Sequence, residues 1–234
     1  MPNLFLTLDW FQGIDLIFEF VALFVALLIA GYSWKAYRMS EEHKFKYFSL
    51  AFLLISLSLF VKALTSSAVY FQGTRIAADA VLRPALGAAR EYSILFYHAG
   101  FFVEMAAMLG GWLLLFFVSQ KARDRLKKYH EVSQLGLFVY LVLLISWVAN
   151  FKYEVFYLTG AVLLGLITLN YYKNYLNNNN RNTLLVMDSF ILLLVAHLFF
   201  IFMFVTPFFY VFGQISLLLG FILLLYTYMR VKHR

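Results

Sequence analysis

Residues 190–204 read FILLLVAHLFFIFMF and residues 22–32 read ALFVALLIAGY, and neither stretch contains a charged side chain. A helix that crosses a bilayer needs about 20 consecutive, mostly apolar residues, and both stretches lie within runs of about that length. A strand of a membrane β-barrel would instead alternate apolar and polar residues over about ten positions. These unbroken apolar stretches therefore predict transmembrane helices.

The rest of the chain repeats this pattern and predicts an all-α membrane protein, a single bundle over residues 1–234. Hydrophobic residues make up 63% of the chain and charged residues 13%, against about 45–50% and about 25% in soluble domains. This composition excludes a soluble globular domain and a disordered chain. The seven predicted spans are residues 14–37, 46–71, 93–119, 133–150, 153–173, 184–205 and 208–229.

The distribution of Lys and Arg predicts the orientation of the bundle. Of the 19 basic residues, fourteen fall in loops on one side, four fall on the other and Lys62 lies within a span. Basic loops remain in the cytoplasm, so we expect the N-terminus outside, the C-terminus inside and a location in the cell membrane. The long outer loop, residues 72–92, predicts an interfacial helix broken at Pro84.

The basic inner loops also predict the partners of the protein. The segment 121–130, KARDRLKKYH, is typical of contact with anionic lipid. An acidic membrane or cytoplasmic protein is a further candidate partner. Because the positive charge follows the membrane topology, it does not indicate nucleic-acid binding.

A weak internal repeat predicts two parallel helix triplets joined by the fourth span, a 3+1+3 arrangement. One alignment of the chain with itself matches the first two helices of each triplet, and it pairs Lys35 with Lys173 and Phe52 with Phe190. A second alignment matches the third helices, and it pairs Gly110 with Gly220 and Glu104 with Gln214. This arrangement resembles that of the sugar-exporting SWEET family, although neither triplet contains a Pro-Gln signature. The resemblance implies a transporter.

Ionisable residues inside the spans are the candidate functional residues. A charge at mid-bilayer costs about 2.5–3.5 kcal/mol on insertion scales, so it normally faces protein or water. By depth, most of these residues fall in the outer half of the membrane and predict an outward-facing polar pocket. The predicted pocket residues are Glu19, Lys62, His98, Glu104 and His197, together with the polar Gln214, which the repeat pairs with Glu104.

Glu104 lies on a helical stripe of small residues and is therefore expected to face the bundle. Lys62 is the basic residue at comparable depth, which predicts a Lys62–Glu104 ion pair with Glu19 nearby. Alternatively, such a pair only fixes how helices dock, or Glu19 and Lys62 extend to the membrane surface.

The sequence predicts neither a metal site nor a cofactor. The chain has no cysteine, and no metal-binding motif is present. His98 and His197 differ in depth by roughly 5 Å, which argues against a b-type haem between them. No P-loop or GxSxG motif occurs, so we expect a non-enzymatic protein.

Three functional interpretations are open. The favoured one is a sensor or ligand-binding subunit with an outward-facing polar pocket, acting through a partner. The alternatives are a transporter of small molecules, ions or protons, and a structural subunit of a larger membrane complex.

Overall fold

The computed structural model describes residues 8–71, 92–120 and 153–232, and it contains six long helices in these ranges. Each helix is long and apolar enough to cross a membrane. Six of the predicted spans are thereby confirmed as helices, as expected for an integral, multi-pass membrane protein. The helices are α1 (Ile14–Ser40), α2 (His43–Tyr70), α3 (Tyr92–Gln120), α4 (Tyr153–Asn178), α5 (Arg181–Ile201) and α6 (Phe208–Lys232).

Two predicted elements fall outside the described residues. They are the fourth span, 133–150, and the outer loop, 72–92, except that Tyr92 begins α3. The count of seven spans and the orientation of the bundle therefore stay predictions.

Local sequence determines where α1 and α5 begin. Gly13 has φ +88°, a left-handed conformation that glycine adopts without steric cost. The Asp15 carboxylate accepts 2.9 Å hydrogen bonds from the N–H groups of Gly13 and Leu16, which lie where N–H groups lack helical partners. At α5, the Asn180 side chain accepts a 3.0 Å hydrogen bond from the Asn182 N–H. The polar segment 177–180 thus supplies a helix cap.

The six described helices pack in a closed ring, each against the next one along the chain and α6 against α1. Short connections make α1 and α2 antiparallel, and likewise α4 and α5. By contrast, α3 and α4 run parallel. Phe101 packs on Tyr153 with ring centroids 4.5 Å apart, and further along both helices Asn170 donates a 2.9 Å hydrogen bond to Ser119. Gln120 and Tyr153 therefore lie at opposite ends of the bundle.

The pair α6 and α1 is also parallel, as its contacts with α2 indicate. At one end the Lys62 ammonium lies 5.9 Å from the Tyr210 ring centroid, and at the other end the Phe48 and Tyr228 rings lie 5.2 Å apart. Since α2 is antiparallel to both α1 and α6, these two helices point the same way. The described helices thus form two units, α1–α3 and α4–α6, which dock through two parallel contacts.

The two units pack internally in the same way. In each, a glycine of the third helix faces a backbone carbonyl and an aliphatic side chain of the second helix. A Cβ atom on that glycine would lie 2.9 Å from the carbonyl oxygen and 2.6 Å from the nearest side-chain atom in the first unit, and 3.2 Å and 2.9 Å in the second. The equivalent residues are Ala51, Ile55 and Gly111 in the first unit and Ser189, Leu193 and Gly220 in the second.

These contacts support the first alignment of the repeat and correct the second. Phe52 and Phe190, which the first alignment pairs, are both fully buried. In the third helices, however, the glycine equivalent to Gly220 is Gly111 and not the predicted Gly110. Glu104 therefore corresponds to Gly213 and not to Gln214. Leucine-rich helices align almost equally well in neighbouring registers, so the packing contacts were needed to choose between them.

Aromatic side chains form the core where the two units meet. Trp112 of α3 stacks on Phe221 of α6, with ring centroids 6.4 Å apart and planes inclined by 16°. Phe52 of α2 packs its ring edge-on against Phe221, also at 6.4 Å. Large apolar side chains such as Phe24 and Val162 cover the outer surface, as expected for helices that face lipid.

Candidate functional site

Polar side chains from all six described helices meet inside the bundle and form what we call the polar cluster. The cluster lies in the half of the bundle that contains the start of α1, away from the exposed basic residues at the turn between α1 and α2. All its members are buried except Tyr70, which is partly buried. They are Asp15, Glu19, Lys62, Ser66, Tyr70, Glu104, Tyr157, His197, Tyr210 and Gln214.

The ion pair at the centre joins Lys62 and Glu19. The Lys62 ammonium lies 3.1 Å from Glu19 Oε1, and the two side chains are only 9% and 1% exposed. The predicted Lys62–Glu104 pair is therefore wrong in its partner. Glu104 is close enough to act electrostatically on Lys62, but it forms no ion pair with it within the described ranges.

Helix packing explains this choice of partner. The Ser58 hydroxyl donates a 2.8 Å hydrogen bond to the backbone carbonyl of Glu104, so these two residues lie at the same level. Lys62 lies one turn further along α2. Glu19 reaches that level from α1, which also packs against α2. The depth of each residue along its own helix did not reveal that Glu19 lies level with Lys62 and faces it, whereas Glu104 lies one turn away.

The Glu19 carboxylate depends on Lys62 for compensation. Apart from the ion pair, neither of its oxygens has a hydrogen-bond partner among the residues that the structure describes, although both atoms are fully buried. The Ser66 hydroxyl also lies beside the carboxylate. The charge of this buried carboxylate is therefore compensated mainly by one ammonium.

Aromatic side chains of the second unit cover the same ammonium. Lys62 Nζ lies 5.6 Å from the Phe200 ring centroid and 5.9 Å from that of Tyr210. Tyr157 also interacts with it electrostatically. Ring faces attract ammonium groups within about 6 Å. The carboxylates thus come from α1 and α3, and the aromatic cover comes from α4, α5 and α6.

Asp15 anchors a hydrogen-bond network at the end of the cluster nearest the start of α1. The Tyr70 hydroxyl donates a 2.7 Å hydrogen bond to Asp15 Oδ2, and the Tyr210 hydroxyl donates a longer one of 3.4 Å. Gln214 in turn donates a 3.0 Å hydrogen bond to the Tyr210 oxygen. These hydrogen bonds connect α1, α2 and α6 at this end of the cluster.

His197 lies against the backbone of α4. Its Nδ1 donates to the Leu193 carbonyl at 3.0 Å, because a carbonyl oxygen can only accept. Its ring lies 5.9 Å from Trp112 and 5.8 Å from Tyr157, both edge-on. At Gly160, a Cβ atom would lie only 2.6 Å from the His197 ring. Glycine is therefore required there for this close approach.

Of the six predicted pocket residues, the structure brings five into the polar cluster: Glu19, Lys62, Glu104, His197 and Gln214. The side chain of His98 lies outside the described part of the structure. That the cluster binds a ligand stays a prediction.

Sequence reasoning missed the tyrosines. Tyrosine near a span end usually marks the membrane interface. Tyr157 and Tyr210 both lie near the starts of predicted spans, so their positions did not distinguish them from interfacial residues. The repeat could have revealed Tyr157, because the first alignment pairs it with Glu19.

No protein family, curated protein or solved structure matches this chain. The chemistry of the polar cluster is therefore inferred from its own residues. In the described ranges, no group of three or more His, Cys, Asp and Glu residues is arranged to hold a metal ion. The cluster does contain three carboxylic acids, Asp15, Glu19 and Glu104, and Lys62 is the basic neighbour of the last two.

Proposed function

We propose that this membrane protein is a small carrier that binds a proton or a small monovalent cation in the polar cluster between its two three-helix units. One observation carries the proposal: a single buried ammonium, that of Lys62, lies beside the buried carboxylic acids Glu19 and Glu104 at the interface of two similarly packed units, with a third buried acid, Asp15, next to Glu19. Parallel repeats with the substrate site at their interface are an established transporter plan.

The charge balance of the cluster favours a positively charged substrate. Asp15 is stabilised by hydrogen bonds and Glu19 by Lys62. Glu104 is 2% exposed and forms no ion pair in the described ranges. A carboxylate in such surroundings is neutralised by a proton or a cation, and reversible neutralisation is how carriers couple ion movement to conformational change.

The proposal also includes seven membrane crossings, with the two ends of the chain on opposite sides of the membrane, and the directions of the helices support it. Because α3 and α4 are parallel, the chain has to return to the other end of the bundle between Gln120 and Tyr153. The predicted span 133–150 would provide that return. With the basic ends of the helices in the cytoplasm, the polar cluster would open outward in the cell membrane.

Flux through proteoliposomes tests the carrier. Purified protein is reconstituted, gradients of H⁺, Na⁺, K⁺ or n-propylammonium are imposed in turn, and internal pH and cation content are followed. We expect wild-type flux above that of protein-free vesicles and at least a tenfold loss in Glu104→Gln. The control is Glu42→Gln, since Glu42 is exposed at the far end of the bundle. Wild-type vesicles that move none of these cations would refute the carrier.

A ligand-binding sensor that acts through a partner is the second candidate. The observation that favours it is the exposed basic surface at the turn between α1 and α2, which suits anionic lipid or an acidic partner. This surface comprises Lys35, Arg38, Lys44 and Lys46. Cation-dependent thermal stabilisation without flux would favour the sensor. Co-purification of other membrane chains with neither property would favour a structural subunit.

A further inference from the structure

The surroundings of the Lys62 ammonium match those of a bound amine. A carboxylate lies 3.1 Å away, and two aromatic ring centroids lie 5.6 and 5.9 Å away. Carboxylates and aromatic faces together are the groups by which proteins recognise ammonium ligands. Beyond this ion pair the Ser66 hydroxyl lies beside the carboxylate, but neither carboxylate oxygen makes a hydrogen bond of good geometry to a described residue, so the position suits a cation.

The internal repeat shows that this environment is built from unlike halves. Three charged residues of the first unit, Glu19, Lys62 and Glu104, have Tyr157, Phe200 and Gly213 as their equivalents in the second unit. Gly213 leaves room for the Phe200 ring, since a Cβ atom there would lie 2.5 Å from it. One unit thus supplies charge and the other supplies aromatic cover, an arrangement that suits an ammonium head group with a short apolar chain.

We propose that the polar cluster binds the ammonium group of a small primary amine, and that Lys62 occupies the position of that group in this structure. This inference rests on the proposed function in that it uses the same site. In the loaded state, the ammonium of the amine pairs with Glu19, Lys62 moves to Glu104, and Glu104 releases to water the proton that neutralises it in the unloaded state. Two carboxylates then balance two ammonium groups.

The position and length of Lys62 permit this exchange. Its four-carbon stem is flexible, and both Glu19 and Glu104 act on its ammonium. Glu104 lies one turn away along the α2–α3 contact, since its carbonyl is bonded to Ser58. Lys62 therefore competes with the amine for Glu19, and Glu104 is the residue with which the displaced Lys62 pairs.

Binding of n-propylammonium tests the proposal, because this ion reproduces the end of a lysine side chain. Thermal unfolding of the detergent-solubilised full chain is titrated with n-propylammonium chloride, with NaCl and 1-propanol as controls. We expect saturable stabilisation of the wild type by n-propylammonium alone. Lys62→Met removes the competitor and should tighten binding about tenfold, whereas Glu104→Gln removes the receiving carboxylate and should weaken it about tenfold.

The control variant is Lys44→Met, which breaks an exposed pair with Glu42 and should leave the affinity unchanged. Equal stabilisation by 1-propanol or NaCl, or weaker binding by Lys62→Met, would overturn the proposal. If Lys62→Met does not fold, the Glu104→Gln variant decides the test. An affinity of that variant for n-propylammonium equal to that of the wild type would then overturn the proposal. Amine binding without flux would leave this inference standing and refute the carrier, and cation flux without amine binding would do the reverse.

Discussion

The pairing of Lys62 with Glu19 can be measured by a double-mutant cycle. The variants are Glu19→Gln, Lys62→Met and the double substitution. At 3.1 Å and an effective dielectric constant of about 20, the Coulomb attraction is about 5 kcal/mol. Glu104 partly compensates Lys62 when Glu19 is neutralised, so each single substitution should lower the free energy of unfolding by about 3 kcal/mol.

The double variant should lose far less than the sum of the two single losses. It leaves no unpaired charge behind at these two positions, so we expect a total loss of about 3 kcal/mol and a coupling energy of about 2–3 kcal/mol. The assay is equilibrium unfolding in mixed micelles, followed by far-ultraviolet circular dichroism and tryptophan fluorescence on each protein under the same conditions.

Two further cycles serve as controls. Lys44 and Glu42 form a pair whose side chains are 54% and 52% exposed, and it should give a coupling of about 0–1 kcal/mol. The Lys62–Glu104 cycle should give a smaller coupling than the Lys62–Glu19 cycle. A larger Glu104 coupling, or a Glu19 coupling no greater than that of the exposed pair, would refute the assignment of Lys62 to Glu19.

Two glycine substitutions test the packing around the cluster. Gly111→Ala should destabilise by about 1–3 kcal/mol, because its Cβ would lie 2.9 Å from a backbone carbonyl; neighbouring Gly110→Ala meets only a 3.6 Å contact and should be tolerated. Gly160→Ala should push the His197 ring from its position and change tryptophan fluorescence, whereas Gly165→Ala, with nothing within 4 Å, should not. Equal stability within the first pair, or equal spectra within the second, would contradict the described contacts.

Hydropathy predicted the helices because it depends only on local composition. Residues 14–37 and 208–229 are apolar enough that no tertiary contact is needed to identify them. Helices α1 and α6 begin at the first residues of these spans and end three residues beyond them. The same information predicted that Glu19, Lys62 and Glu104 are deeply placed. It gave their depth along the helices but not the direction in which each side chain faces around its helix axis.

The predicted partner of Lys62 was wrong because the sequence did not give the direction in which each side chain faces. Depth from the sequence did not favour Glu19 over Glu104 as the partner of Lys62, and only the packing of α1 and α3 against α2 distinguishes them. The register of the third repeat helix needed the same kind of information. It became clear from the contacts of Gly111 and Gly220 with the second helix of each unit.

The pairing between adjacent helices also bears on how the chain enters the membrane during synthesis. A lone lysine at mid-bilayer opposes insertion of its helix by about 2.5–3.5 kcal/mol. Lys62 is on α2, and its counter-charge, Glu19, is on α1, the helix that is synthesised immediately before it. The helical hairpin α1–α2 can therefore leave the translocon as one unit in which the two charges neutralise each other, before any later helix is made.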